Sequence, residues 1–204
     1  MDFFQTVTAF KDVVLAAAGA VTAYVAVSGI KKWRNELEGK AGFESARSLA
    51  RATYRLRDEV ASFRSPLITN DEFPAHYFDN SKRSSQDETQ AYAYVYKNRW
   101  SPVKAAVAEF DTQALEAEAL WGSAIRIQTD ALRVCVSELR SAIDAILGDK
   151  LSGGEDFKAD REVGKLMRGR VHASPGSNEN PLSQKINSAV KEIENSLRGH
   201  LGRN

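Results

Sequence analysis

The chain has 204 residues, of which 43% are hydrophobic and 27% are charged, and its formal net charge at pH 7 is +1. This length and composition suffice for a packed core, which excludes wholesale disorder. The near-neutral charge argues against a nucleic-acid partner, because nucleic-acid-binding proteins usually carry a clear basic excess. The single cysteine, Cys135, excludes an internal disulfide and a zinc site made of several thiolates.

The N-terminal region contains the longest apolar stretch of the chain. Residues Val13 to Ile30 include no charged residue and no proline. As a helix this stretch would be about 27 Å long, close to the ~30 Å hydrocarbon core of a bilayer. Basic and aromatic residues typical of a membrane interface follow at once, namely Lys31, Lys32, Trp33 and Arg34. We therefore predict that residues 1–32 form an N-terminal segment and a transmembrane anchor in the lipid bilayer.

The distribution of lysine and arginine predicts the orientation of this anchor. Basic residues cluster on its C-terminal side, whereas the N-terminal flank has Lys11 offset by Asp2 and Asp12. Because basic flanks stay in the cytoplasm, we expect the N-terminus outside and the remaining chain inside. The predicted location is the inner (cytoplasmic) membrane, crossed once.

Two other interpretations of Val13 to Ile30 are a cleaved signal peptide and a buried helix of a soluble domain. A signal peptide begins with a basic region, but Asp2 is the only charged residue among the first ten. A helix of a soluble domain usually has one polar face, and this stretch has no charge on any face. Both patterns favour the membrane span.

Small residues recur every fourth position within the predicted span. One row contains Ala16 and Ala20, and a second contains Gly19 and Ala23. Such rows allow two transmembrane helices to approach closely, so they indicate a homo-oligomer formed through this face. The alternative is that alanine is simply abundant in this stretch.

The rest of the chain has the pattern of amphipathic helices. Apolar residues recur in steps of three and four in four segments, residues 46–63, 103–121, 132–146 and 186–197. We find no strand-like alternation and no long repeat. The predicted fold is therefore all-α, with an N-terminal transmembrane helix followed by an antiparallel, coiled-coil-like helical bundle.

Proline and glycine divide this helical region. We expect a cytoplasmic bundle over residues 33–148, a flexible loop with a short helix over 149–182, and a C-terminal amphipathic helix over 183–204. Pro102 is consistent with a restarted helix or with a kink in a longer one. The pattern leaves open whether residues 86–148 form one kinked helix or two.

Three arginines share one face of the first bundle helix, because Arg47, Arg51 and Arg55 are spaced by four residues. They are candidate contacts for lipid headgroups or an anionic partner. The alternative, which the net negative charge of residues 66–149 favours, is pairing within the chain. The possible carboxylate partners are Glu109, Asp111, Glu116 and Glu118.

A connector over residues 67–85 follows that helix and is rich in aromatic residues. We predict a partner-contact loop whose members are Phe73, His76, Tyr77 and Phe78. Asp71, His76 and Asp79 are the best candidates in the chain for acid–base or metal chemistry, but their spacing matches no motif. Phosphate-binding, dinucleotide-binding and zinc motifs are also missing. We therefore predict no catalytic, cofactor or metal residues, and no cofactor.

The junction KKWRNELEGKAGFESARSLARATYRLRDEVASFRSPLI, which begins at Lys31, resembles uncharacterised bacterial single-pass inner-membrane proteins with a short N-terminal anchor and a helical cytoplasmic region. The resemblance covers residues Val13 to Ile68. It implies a bacterial or phage-associated membrane protein and brings no active residues with it.

The functional hypothesis is a membrane-anchored, non-enzymatic helical protein that acts by protein–protein interaction in a structural, sensory or scaffolding role. One alternative is a membrane-perturbing effector that oligomerises through its anchor. A second alternative is a membrane-tethered enzyme that uses Asp71, His76 and Asp79.

Overall fold

The structure is a computed structural model, and most of the residues that it describes lie in α-helices. It describes residues 3–75, 77–79, 83–173 and 180–202. The helices are α1 (Phe3–Phe63), α2 (Ser85–Trp121), α3 (Ser123–Leu151), α4 (Glu155–Ala159), α5 (Arg161–Val171) and α6 (Pro181–Leu197), with a 3₁₀ turn at Asn70–Glu72. No strand occurs among these residues, so the predicted all-α class is confirmed.

The chain divides into two compact units, Met1–Glu44 and Ser45–Asn204. The first unit contains the N-terminal part of α1, in which every side chain from residue 18 to residue 41 is exposed. The side chains of residues 1–14, 16 and 17 lie outside the described part. Within the described part, no helix has the length and apolar character to cross a bilayer. The predicted transmembrane anchor is therefore not supported by the described residues and stays a prediction.

In the second unit, α2 and α3 form an antiparallel hairpin around a single residue, Gly122. Its φ of 79° lies in the left-handed region, which glycine adopts without the steric cost of a Cβ atom. Ion pairs connect the two helices at both ends of the hairpin. The carboxylate of Asp111 lies 2.7 Å from the guanidinium of Arg133, and that of Glu88 lies 2.6 Å from the ammonium of Lys150. Because the earlier residue of α2 pairs with the later residue of α3, the two helices run in opposite directions.

The bundle is completed by the C-terminal part of α1 and by α6. Phe63 at the end of α1 packs edge-on against Trp100 of α2, with ring centroids 5.3 Å apart, so α1 and α2 also run in opposite directions. At the other end of α2, Trp121 stacks on His200, just after α6, at 4.1 Å. The core lies between these helices, and its largest fully buried side chains include Leu49, Leu56, Phe110, Leu132, Leu139, Ile143, Ile193 and Leu197.

Helix boundaries resolve what the sequence pattern left open. Helix α2 continues through Pro102, and the break falls at Gly122, so residues 86–148 contain two helices. The loop predicted over residues 149–182 contains two short helices, α4 and α5.

Cys135 is a buried core residue, and burial raises the pKa of its thiol.

A buried arginine at the C-terminal end of α1 joins three helices. Arg64 is 3% exposed and donates hydrogen bonds to the carbonyl oxygens of Gly169 (3.2 Å) and Arg170 (2.8 Å) near the end of α5. It also donates to Asn180 Oδ1 (2.8 Å) and Ser183 Oγ (2.9 Å) at the start of α6. None of these acceptors is a carboxylate, and burial lowers the pKa of the guanidinium. The partial negative charge at the C-terminus of α5 favours the cation at this position.

We expect the Arg64→Ala substitution to lower the free energy of unfolding by about 2–4 kcal/mol, because several buried acceptors lose a charged donor. The measurement is urea denaturation followed by far-UV circular dichroism. The control is Arg126→Ala, which removes an arginine that is 61% exposed and pairs with Glu118 at 3.5 Å. We expect that variant to lose no more than about 1 kcal/mol. Equal losses in the two variants would contradict a special role for Arg64.

Candidate functional site

The second unit has a groove between α1 and the end of α6. Because these helices run antiparallel, residues 47–54 of α1 face residues 194–201. The groove has a volume of about 640 Å³. Its lining consists of Arg47, Ala50, Arg51, Tyr54, Glu194, Leu197, Arg198 and Leu201. We call this surface the arginine groove.

The arginine groove combines an apolar floor with a basic rim. Leu197 is 1% exposed and belongs to the core, whereas the side chains of Arg47, Arg51 and Arg198 are exposed. These arginines make no ion pair with any described residue. Glu194 is the single carboxylate in the lining, and its charge contributes to the raised pKa of the nearby Arg57. The groove therefore presents excess positive charge over an apolar surface.

The predicted arginine stripe is divided between two environments. Arg55 forms an ion pair with Glu109 of α2, as the intramolecular alternative expected. Arg47 and Arg51 instead line the arginine groove, because they lie further from the end of α1 that packs on α2. Of the other expected carboxylate partners, Asp111 pairs with Arg133 and Glu118 with Arg126. Glu116 makes no ion pair within the described part of the chain.

Sequence reasoning missed the contribution of the C-terminal helix to this surface. Arg198 directly follows the apolar repeat of α6 and closes the basic rim from the opposite side. Tyr54 lies one turn beyond Ala50 on the floor, and the Arg57 guanidinium lies 5.1 Å from the centre of its ring. The available signal was the excess of basic over acidic residues in residues 31–65 and in residues 183–204. The basic residues of these two segments form one surface only because the segments are neighbours in the fold.

The aromatic connector is packed on itself and on α2. Phe73 stacks on Tyr77 with ring centroids 4.8 Å apart and meets Tyr92 of α2 edge-on at 5.3 Å. The guanidinium of Arg83 covers the Tyr77 ring at 4.3 Å. Phe78 remains 48% exposed. The described aromatic rings of the predicted partner-contact loop thus pack on one another and on Tyr92.

Arg99 of α2 clamps the start of the connector. It donates to the carbonyl oxygens of Ser65 (2.8 Å) and Leu67 (2.5 Å) and makes a two-pronged ion pair with Glu72. The hydrogen bond from Arg99 is the main cause that lowers the pKa of Glu72 to about 2, and hydrogen bonds from Thr69 add to it. The start of the connector, residues 65–72, is therefore held against α2.

A buried tyrosine and a half-buried histidine lie beside this clamp. Tyr96 Oη is 3.4 Å from His172 Nε2, and His172 Nδ1 is buried without a hydrogen-bond partner in the described structure. Burial raises the pKa of Tyr96 to about 12. Burial and the charges of Arg99 and Arg64 lower the pKa of His172, which favours the neutral imidazole.

The chemistry candidates of the connector do not assemble into a metal site in the part of the chain that the structure describes. No group of three histidine, cysteine, aspartate or glutamate side chains with suitable geometry occurs there. Asp71 and Asp79 are exposed, and His76 lies outside the described residues.

The remaining predicted site residues belong to the first unit. Lys31, Lys32, Trp33 and Arg34 are all exposed on α1, as are Gly19, Ala20 and Ala23. The Ala16 side chain lies outside the described part. No atom lies within 4 Å of a Cβ built on Gly19, so this row of small residues is sterically open.

Comparisons of the chain with family models, curated proteins and solved structures found no match.

The Glu72–Arg99 pair predicts a pH dependence of stability. A carboxylate with a lowered folded-state pKa stabilises the fold above its unfolded pKa, near 4.5, and loses that contribution as pH falls toward about 2. We expect Glu72→Gln to be less stable than the natural protein at pH 7 and this difference to shrink between about pH 4.5 and 2. Urea denaturation at a series of pH values measures it.

Glu192→Gln serves as the control, because Glu192 is exposed and makes no ion pair with the described residues. Its stability difference from the natural protein should stay near zero over the whole pH range. A pH-independent difference for Glu72→Gln would contradict the assigned role of the pair.

Proposed function

We propose that this chain is a membrane-anchored helical protein that acts by protein–protein interaction in a structural, sensory or scaffolding role. In this proposal the charge-free part of α1 crosses the inner membrane once, with the N-terminus outside and the coiled-coil-like bundle in the cytoplasm. The observation that carries it is an apolar helix whose described side chains are exposed on all faces.

The exposed side chains of this helix are large and apolar. Val21, Tyr24 and Val25 are 62%, 74% and 61% exposed, and Val27 and Ile30 are 67% and 66% exposed. These positions surround the helix, because successive residues are separated by 100°. Soluble helices instead place apolar residues on one stripe and polar residues on the other faces. These side chains therefore favour an apolar environment that covers every face of the helix.

A bilayer provides that environment at the right place in the sequence. Burial of each large apolar side chain contributes about 1.5–3 kcal/mol relative to exposure in water. Immediately after Ile30, the exposed Lys31, Lys32, Trp33 and Arg34 supply the cationic and aromatic groups that favour the headgroup region. The same cluster favours a cytoplasmic location for the bundle.

The bundle supports interaction with a protein more than it supports a reaction. The arginine groove of the bundle presents unpaired arginines over apolar side chains and has no nucleophile–base pair among its lining residues. Such a mixed surface complements an acidic, partly apolar protein surface. In the connector loop, in contrast, Phe73 already packs against Tyr77 of the loop and Tyr92 of α2.

The membrane proposal is tested by flotation of expressed protein with membrane vesicles after alkaline carbonate extraction. We expect the natural chain to float with lipid and the Val21→Arg/Val25→Arg double variant to be released, because each central arginine costs about 2.5–3.5 kcal/mol on insertion. The control is Ile127→Arg/Val134→Arg on α3, where the natural side chains are 72% and 55% exposed. That variant should still float. Complete release of the natural chain would overturn the proposal.

Association through the anchor is a second candidate, favoured by the open space around Gly19. A membrane-perturbing effector would need this association to form its lesion. We expect Gly19→Ile to reduce cross-linked oligomers in membranes, because a branched side chain prevents close helix approach. Gly29→Ile is the matched control, since Gly29 is equally unobstructed but lies on a different face of α1. If toxicity on expression persists unchanged in Gly19→Ile, the effector alternative is wrong.

A further inference from the structure

We propose that the bundle binds a second copy of itself, with the arginine groove of one copy receiving the outer face of α2 from the other. This inference deepens the proposed function, because it names the protein partner of the bundle. The face in question consists of Leu115, Glu116, Ala119 and Leu120. We call it the acidic ridge.

The acidic ridge is an unpartnered amphipathic surface. Leu115 is 64% exposed and Leu120 is 51% exposed, although both belong to a helix whose opposite face is buried in the core. Glu116 is exposed and makes no ion pair among the described residues. Leu115 and Ala119 are four residues apart, as are Glu116 and Leu120, so the four exposed side chains form two neighbouring rows over about one and a half turns, with Glu116 between the two leucines around the helix.

The arginine groove offers the complementary pattern over a similar length. One side extends over residues 47–54 of α1, and the other over residues 194–201, which include the last turn of α6 and the turn that follows it. Leu197, Leu201 and Ala50 provide apolar contact for the leucines of the ridge. Arg47, Arg51 and Arg198 surround that floor with unpaired cations. Exposed ion pairs are individually weak, so the leucines supply affinity and the charges determine register.

The two surfaces lie at the same end of the bundle. The ion pair between Arg55 and Glu109 places the groove-lining part of α1 level with the last turns of α2. The stack of Trp121 on His200 places the end of α6 at the same level. A two-fold symmetric pair can therefore use both surfaces of both copies, each ridge filling the opposite groove.

A phospholipid headgroup is a weaker occupant of the groove. It would satisfy the arginines but would leave Leu115 and Leu120 of the ridge exposed to water. A second copy covers both surfaces at once and brings the Glu116 carboxylate among the arginines of the groove.

Cysteine cross-linking in membranes tests the contact directly with the full chain. In a Cys135→Ala background, Ala50→Cys and Leu115→Cys place one thiol in the groove and one on the ridge. Mild oxidation should then give a covalent dimer on a non-reducing gel. The control pair is Ala50→Cys with Val134→Cys, which is exposed on α3. Gly19→Ile is included in every chain so that association through the anchor does not contribute.

Charge reversal provides the second arm of the test. We expect Arg51→Glu and Glu116→Arg, each alone, to reduce the cross-linked dimer by roughly three- to tenfold, because each replaces an attraction by a repulsion. The two reversals combined in one chain should restore it, since both contacts regain opposite charges. A dimer no more abundant than in the control pair, or one insensitive to both single reversals, would overturn the proposal.

Two further outcomes distinguish self-association from lipid binding in the groove and from the membrane proposal. Arg51→Glu could weaken binding to vesicles of phosphatidylglycerol and phosphatidylcholine while the Ala50/Leu115 pair gives no dimer. That result would assign the groove to lipid and overturn self-association. Flotation of the same variants tests the anchor separately, because specific cross-linking of a chain that does not float supports this inference and contradicts the membrane proposal.

Discussion

The arrangement of the bundle depends on the buried guanidinium of Arg64. It lies where α1 ends, and its acceptors are at the end of α5 and the start of α6. A buried cation must be solvated by protein groups, and here carbonyl, amide and hydroxyl oxygens take the place of water. The N-cap residue Asn180 accepts from Arg64 and also donates to the Gly169 carbonyl at 2.6 Å. This network brings the start of the last helix against the end of the first.

The arginine groove follows from that constraint. With one end of α6 held at Arg64 and the other held by the stack of His200 on Trp121, residues 194–201 lie alongside the earlier turns of α1. Tyr54 and the two arginines that precede it then face Arg198 across an apolar floor. Positive charge from opposite ends of the sequence thus accumulates on one surface.

A second arginine, Arg99 of α2, has a different role. It satisfies the carbonyl groups that follow the end of α1 and pairs with Glu72, so the connector turns back onto α2 instead of extending into solvent. Phe73, which the sequence offers as a partner contact, packs against both Tyr77 and Tyr92, whereas Phe78 stays 48% exposed. The arginine groove, in contrast, is formed by α1 and residues 194–201.

The sequence by itself determined the all-α class and the amphipathic faces that form the core, because these depend on local periodicity. It also determined where a membrane anchor is to be sought, since a charge-free stretch followed by Lys31 and Lys32 is a local pattern. The structure decided that residues 86–148 form two helices with the break at Gly122. Only the tertiary structure decided that Arg55 pairs with Glu109 whereas Arg47 and Arg51 join Arg198. The physical reason is that spacing along a helix specifies a face, but the neighbour of that face depends on how distant helices pack.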